Sequence, residues 1–284
     1  MTFLKSFFCL VLLSATITAR AQTAKDTTQV KDELNAWGLL KYDVGSMLGG
    51  AGHAITAPLR WDGDDFLTAG GLVLGTALVY LADQEARDYF VRQDKNAPQI
   101  LKEVGWYFGS PQNFYMVTGA FYGLGLVTKN EKIRKTAVLI IASSATAGFI
   151  QSLAKTAVGR ARPDDSTGPF EFDFFSSQAK YHSFPSGHTV LSVSMAHSIA
   201  KQFDNIWVKI GIYSLGSIAP VSRLWDDAHW LTDILLGAAL SIAVVDSVDN
   251  YLNKNDRYPN SNRSNRITWR LQAGFGRIGL VGTF

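Results

Sequence analysis

Two stretches of this chain carry no charged side chain, Phe66 to Ala82 for 17 residues and Thr136 to Ala154 for 19, and each ends against a charged residue. Apolar runs of that length are too long for strands of roughly 4–8 residues and specify helices. Further apolar segments follow at about 38–57, 114–128, 188–203, 206–221 and 231–252. Pro58, Pro98, Pro111 and a loop from Pro163 to Pro185 break them apart. The pattern predicts an all-α protein, a helical bundle of about six to seven helices. From Arg266 the period changes. Ile267, Trp269, Leu271, Ala273 and Phe275 alternate, and after Gly276 the alternation resumes one residue out of phase through Ile278, Leu280 and Phe284. That is a short C-terminal strand-like tail, since one or two strands cannot close a barrel.

The first 21 residues read as a secretory signal peptide: Lys5, an apolar stretch from Phe7 to Leu13, and Ala19-Arg20-Ala21 ahead of Gln22. The only cysteine, Cys9, lies inside it, so the mature chain has neither a disulfide nor a cysteine metal site. The leader carries Lys5 and Arg20 and no acidic residue, so its removal takes the formal charge from +3 to +1. Nothing in that balance suggests nucleic-acid binding. The expected organisation is a signal peptide at 1–21, a flexible polar segment at 22–37, a helical domain at 38–255, and a polar linker with the strand-like tail at 256–284.

Three short segments hold the chemistry: Lys155-Thr-Ala-Val-Gly-Arg-Ala-Arg162-Pro163, Pro185-Ser186-Gly187-His188, and Ser222-Arg223 followed by His229 and Asp233. A phosphoryl group in transfer spreads negative charge over three oxygens and needs fixed positive groups around them. Lys155, Arg162 and Arg223 supply such groups, Arg as a planar fork and Lys as a point charge. Two histidines, His188 and His229, can divide attack and proton donation. His229 and Asp233 are four residues apart, which on a helix places them on one face and lets the carboxylate orient the imidazole. Ser186 and Gly187 open an apolar run after a proline turn, where helix N–H groups favour an anion.

The ordered set K-x6-R-P, P-S-G-H and S-R-x5-H-x3-D resembles the signature of the type 2 phosphatidic acid phosphatase and vanadium haloperoxidase superfamily, and its phosphatase branch in particular. The resemblance covers Lys155 to Asp233 with every motif residue present. It implies a helical bundle with the active site at one end. It also implies that His229 forms a phosphohistidine, that Asp233 orients it and that His188 protonates the leaving group. Lys155, Arg162, Arg223, Ser186 and the Gly187 amide would hold the phosphate. The function expected is an exported phosphatase that hydrolyses phosphomonoesters or diphosphates, on lipid phosphates or small organic phosphates. The alternatives are a vanadium-dependent haloperoxidase and a non-catalytic binding protein on the same scaffold. No cofactor and no metal are expected, because no cluster of His, Cys and carboxylates has metal-site spacing, and vanadate is expected to inhibit. Arg160, Asp226 and Asp227 are read as residues of the rim rather than of the chemistry, and His197 as a hydrogen-bonded core histidine.

The expected partners are a phosphorylated lipid or small phosphoester and a membrane surface, with no nucleic acid. The uncharged runs after His188 last only 12–13 residues, which suits buried helices. The placement expected is therefore exported and periplasmic, soluble or membrane-associated, with integral inner-membrane placement as the alternative. The Pro163–Pro185 loop carries Phe170, Phe172, Phe174 and Phe175 and is expected to overhang the site.

Overall fold

A computed structural model describes residues 34–261, 268–274 and 277–283. The signal peptide and nearly all of the polar segment after it lie outside the described residues. The helices are α1 (Ala36–Ile55), α2 (Gly63–Tyr80), α3 (Asp83–Gln93), α4 (Gln99–Gly109), α5 (Pro111–Val127), α6 (Glu131–Val158), α7 (Gly187–Ala200), α8 (Ile206–Gly216), α9 (Ile218–Trp225) and α10 (Leu231–Lys254). Two strands, β1 (Thr268–Gly274) and β2 (Arg277–Thr283), pair antiparallel with Thr268 opposite Thr283.

The all-α expectation holds for the bundle, with more helices than the apolar runs suggest. α3 and α4 are 11 residues each. α3 carries Asp83, Glu85, Arg87, Asp88 and Arg92 and so shows no apolar run. The segment expected at 206–221 divides at Ser217 into α8 and α9. Pro98 and Pro111, read as breaks, are helix starts: Pro98 is the N-cap of α4, and Pro111 is the first residue of α5, where its missing N–H costs nothing.

α6 is the central element. Asn130 caps its start by accepting from the Ile133 N–H at 3.0 Å, and Gly159 ends it in the left-handed region at φ +58°. Its stretch from Arg134 to Ala147 is buried on nearly every face because α1, α5, α7 and α10 all pack against it. The main core joins Val138, Leu139 and Ala142 of α6 to Val190 of α7 and Val244, Val245, Val248 and Leu252 of α10. Away from the motif segments, Asp43 of α1 is wholly buried and accepts four hydrogen bonds. Arg134 donates two, at 2.8 and 2.7 Å, Tyr122 one at 2.9 Å and Tyr258 one at 2.8 Å.

The outer helices are different. α2 has no buried residue, and its Leu67, Leu74 and Leu78 are 75%, 70% and 71% exposed. α8 likewise buries nothing and presents Ile206, Trp207 and Leu215. By length and composition α6 and α10 suffice to cross a membrane, and the bent α2–α3 pair is a third candidate. α10 exceeds the 12-residue run seen in the sequence because the helix continues through Asp246 and Asp249 to Lys254.

Candidate active site

The loop from Gly159 to Ser186 folds back along its own start. Ala161 N–H bonds Glu171 O at 3.0 Å, Arg162 N–H bonds Lys180 O at 2.8 Å, and Ser183 N–H bonds Arg160 O at 3.0 Å. This requires glycine at 159, since a Cβ there would lie 1.7 Å from the Asp173 carbonyl. The fold-back brings the first motif against the second. Ser186 N–H then bonds Asp233 O at 3.1 Å, and Gly237 of α10 lies beside Ser186 O and Thr189, which joins the second motif to the third.

Asp233 meets His229 by a different route from the one its spacing suggests. His229 is not helical; it precedes α10, and Asp233 is the third residue of that helix. From there the carboxylate reaches back, accepting from the Trp230 N–H at 3.0 Å, with Oδ2 3.6 Å from His229 Nδ1. This is one half of a capping box, in which an acid at the third position reaches a backbone N–H at the helix start. The Ser183 hydroxyl donates to the same Oδ2 and sits 3.5 Å from His229 Nδ1. Ser183 is one of the residues that sequence reasoning missed, and nothing in its local sequence marks it.

The two arginines of the first motif play opposite parts. Arg162 donates to carbonyls, Ala228 O at 3.0 Å and His182 O at 3.5 Å, and Lys155 donates to His182 O and to Ser183 O at 3.4 Å. Neither forms an ion pair among the described residues, so no carboxylate in contact neutralises either; burial, then the Arg162 charge, pushes the Lys155 pKa down to about 7. Arg160 is 1% exposed and neutralised by two carboxylates, with Nη1 2.8 Å from Asp233 Oδ1 and Nη2 2.6 Å from Asp83 Oδ2. It is no rim residue. Arg223 pairs with Asp226 at 2.6 Å, and Asp226 with Lys102 at 2.9 Å, so Asp226 does sit beside the cations. Asp227 pairs with Arg87. His197 bridges Tyr213 at 2.6 Å and Asp246 at 3.0 Å, away from this cluster.

His188 is the second residue of α7, behind Ser186, whose hydroxyl caps the helix by accepting from Thr189 N–H at 3.5 Å. Its Nε2 is buried with no hydrogen-bond partner among the described residues. Burial, then the charges of Arg223, His229, Arg162 and Lys155, push its pKa down to about 3. His229 is pushed down to about 4, by burial first and then by Lys155 and Arg162 against the opposing pull of Asp233. The same cations, Lys155 and Arg162, act on both rings. Both imidazoles are neutral at pH 7, so His229 has a free lone pair. In 15N NMR of the ligand-free protein, both rings are expected to stay neutral down to about pH 4. A midpoint between 6 and 7 for either ring would contradict this electrostatic picture.

Among the described residues no group of three or more His, Cys, Asp or Glu side chains can hold a metal ion. Residues 136–256 match the PAP2 superfamily model. Over 124 residues the chain is 27% identical to a lipid A 1-phosphatase of Porphyromonas gingivalis, covering 43% of this chain and 25% of that protein. Over 94 residues it is 32% identical to a lipid A 1-phosphatase of Rhizobium etli, covering 32% of this chain and 40% of that one. The chain thus spans a quarter to two fifths of the length of these relatives. The crystal structure of Aquifex aeolicus LpxE aligns with a TM-score of 0.40 at 16% identity, over 57% of this chain and 93% of that one.

Proposed function

Because residues 136–256 of this chain belong to the PAP2 superfamily, we propose that the protein is a phosphatase acting on a phosphorylated lipid through a phosphohistidine on His229. The observation that carries this reading is the pairing of Lys155 and Arg162 with carbonyls alone. Two half-buried cations with no carboxylate partner among the described residues, beside a neutral His229, make a site for an anion with its own nucleophile. The relatives named as lipid A 1-phosphatases support a lipid phosphate as substrate.

The phosphate oxygens lie against Lys155, Arg162, Arg223 and the open N–H groups at the start of α7, Gly187 among them. His229 Nε2 attacks phosphorus, the bond to the leaving oxygen breaks, and His188 gives that oxygen a proton. Water then attacks the phosphohistidine, His188 takes its proton, and phosphate departs. His188 is too acidic to hold a proton in the free protein, so substrate must supply the condition for it. A phosphate dianion set among the cations offsets their charge and raises the pKa of the imidazole beside it. A phosphate monoanion, with its second pKa near ~6, brings the proton itself.

The exposed apolar faces of α2 and α8 support close membrane association over a free-standing soluble domain, since a chain of this size does not leave such surfaces to water. Export rests on the leader read in the first 21 residues.

Phosphate release by purified protein, measured over lipid A phosphates, phosphatidic acid, a polyprenyl diphosphate and a soluble phosphoester, tests the proposal. Turnover is expected to be highest on the lipids, to survive EDTA, and to be inhibited competitively by vanadate, which accepts a bond from His229. Loss in EDTA restored by a divalent ion contradicts the metal-free reading. Peroxide-dependent halide oxidation after vanadate loading, without phosphate release, assigns the chain to the haloperoxidase branch instead.

A further inference from the structure

We infer that Arg160, anchored by Asp83, is a positioning residue that holds the Asp233 carboxylate ionised and turned toward His229. The inference rests on the assignment of His229 as nucleophile. Asp233 is wholly buried, and a carboxylate in that position takes up a proton unless a positive charge and donors hold it. The charged and titratable groups that face it are Arg160, His229, Lys155 and, more distantly, Tyr80. Among the described residues only Arg160 touches Oδ1, which leaves Oδ2 for Trp230 N–H, Ser183 and His229.

Arg160 is in turn fixed from every side. Its guanidinium lies 4.4 Å from the Tyr80 ring centre and 5.2 Å from that of Trp230, and Nη1 also donates to Thr232 Oγ1 at 2.7 Å. Asp83, the first residue of α3, takes the other nitrogen and accepts from Thr232 N–H at 3.0 Å. The head of α3 is thereby locked to the head of α10, and Nη1 of the fork is left facing Thr232 Oγ1 and the Asp233 carboxylate. A lysine has a single ammonium and cannot hold two carboxylates in this geometry. The two partners are unequal in consequence. Loss of Asp83 leaves the whole Arg160 charge to Asp233, whereas loss of Arg160 leaves two buried carboxylates with no counter-charge.

Arg160→Met is expected to lower kcat by about 10²-fold with KM changed less than about threefold, and to move the acid limb of the kcat profile up by about one pH unit or more. Asp83→Asn is expected to keep kcat within about tenfold of wild type. If Arg160→Met does not fold, the charge-balanced pair Arg160→Met with Asp83→Asn restores folding and is expected to regain thermal stability while kcat stays about 10²-fold down. Wild-type kcat in a stable double variant overturns the inference, as does a folded Asp83→Asn protein as slow as Arg160→Met. If the wild-type protein hydrolyses no phosphoester, the functional reading fails, and the positioning is judged by 15N NMR alone. His229 is then expected as the Nδ1–H tautomer in wild type and as a tautomer mixture in the double variant, and identical His229 signals in the two overturn the inference.

Discussion

With His229 replaced by alanine, purified protein is expected to release phosphate at least about 10⁴-fold more slowly than wild type while its circular dichroism and melting temperature stay close to wild type. The size follows from the role. A covalent nucleophile has no substitute within reach, and removing one member of a cooperating set costs about as much as removing them all. The fold is expected to survive because His229 lies ahead of α10 and not within a helix, so its truncation leaves the helix's own backbone hydrogen bonds in place. Quenching wild-type turnover without acid and digesting the protein should locate phosphate on the peptide that contains His229. Turnover within about tenfold of wild type in the alanine variant, or phosphate trapped on another residue, would falsify the assignment.

His188→Ala is expected to divide substrates by leaving group. On a lipid phosphate, whose departing alkoxide needs a proton, kcat should fall by about 10²–10⁴-fold. On an aryl phosphate with a stable phenolate leaving group, the fall should be less than about tenfold. The Nε2 atom of His188, buried without a partner among the described residues, is the group that would meet the departing oxygen. Gly109→Ala should shift the same ratio without touching the imidazole chemically. A Cβ there would lie 2.2 Å from His188 Cδ2 and 2.6 Å from Cγ, so the ring must move. Equal losses on both substrates in His188→Ala would remove His188 as the acid.

The residues proposed for the reaction were legible in the sequence because phosphate chemistry restricts them to a few types at fixed intervals. What held them was not legible. Arg160 and Arg162 are the same residue two positions apart, and only their partners separate the proposed positioning group from the proposed phosphate group: two carboxylates for one, carbonyls for the other. Asp83 sits at the start of a charged 11-residue helix with no apolar period to announce it. Ser183 is an ordinary loop serine until the fold-back at Gly159 sets it beside Asp233. The interval from His229 to Asp233 was read correctly as proximity and wrongly as a helical face. The true cause is an acid at the third position of a helix reaching back over its start. Long apolar helices were visible for the converse reason, since α6 and the head of α10 need only their own side chains to declare themselves.

The carboxylate of Asp43 sets a limit on how this helical unit can be divided. Its four donors come from α5, α6 and the turn after α10, so α6, which carries Lys155, is tied through Arg134 to a helix that begins a hundred residues upstream of the matched stretch and to Tyr258, which lies beyond its last residue. Cutting the chain to 136–256 would remove Asp43, Asp83 and Tyr258 together, and Arg134 with them. Retaining Arg134 but not Asp43 would strand a buried guanidinium at a cost of about 3–5 kcal/mol, a large fraction of a domain's stability. The three motifs are therefore neighbours in the sequence but not a portable cassette. A graft, fusion or minimal version has to carry the whole span from Ala36 to Ser261, and recombination between relatives can exchange the motifs only along with the helices that precede them.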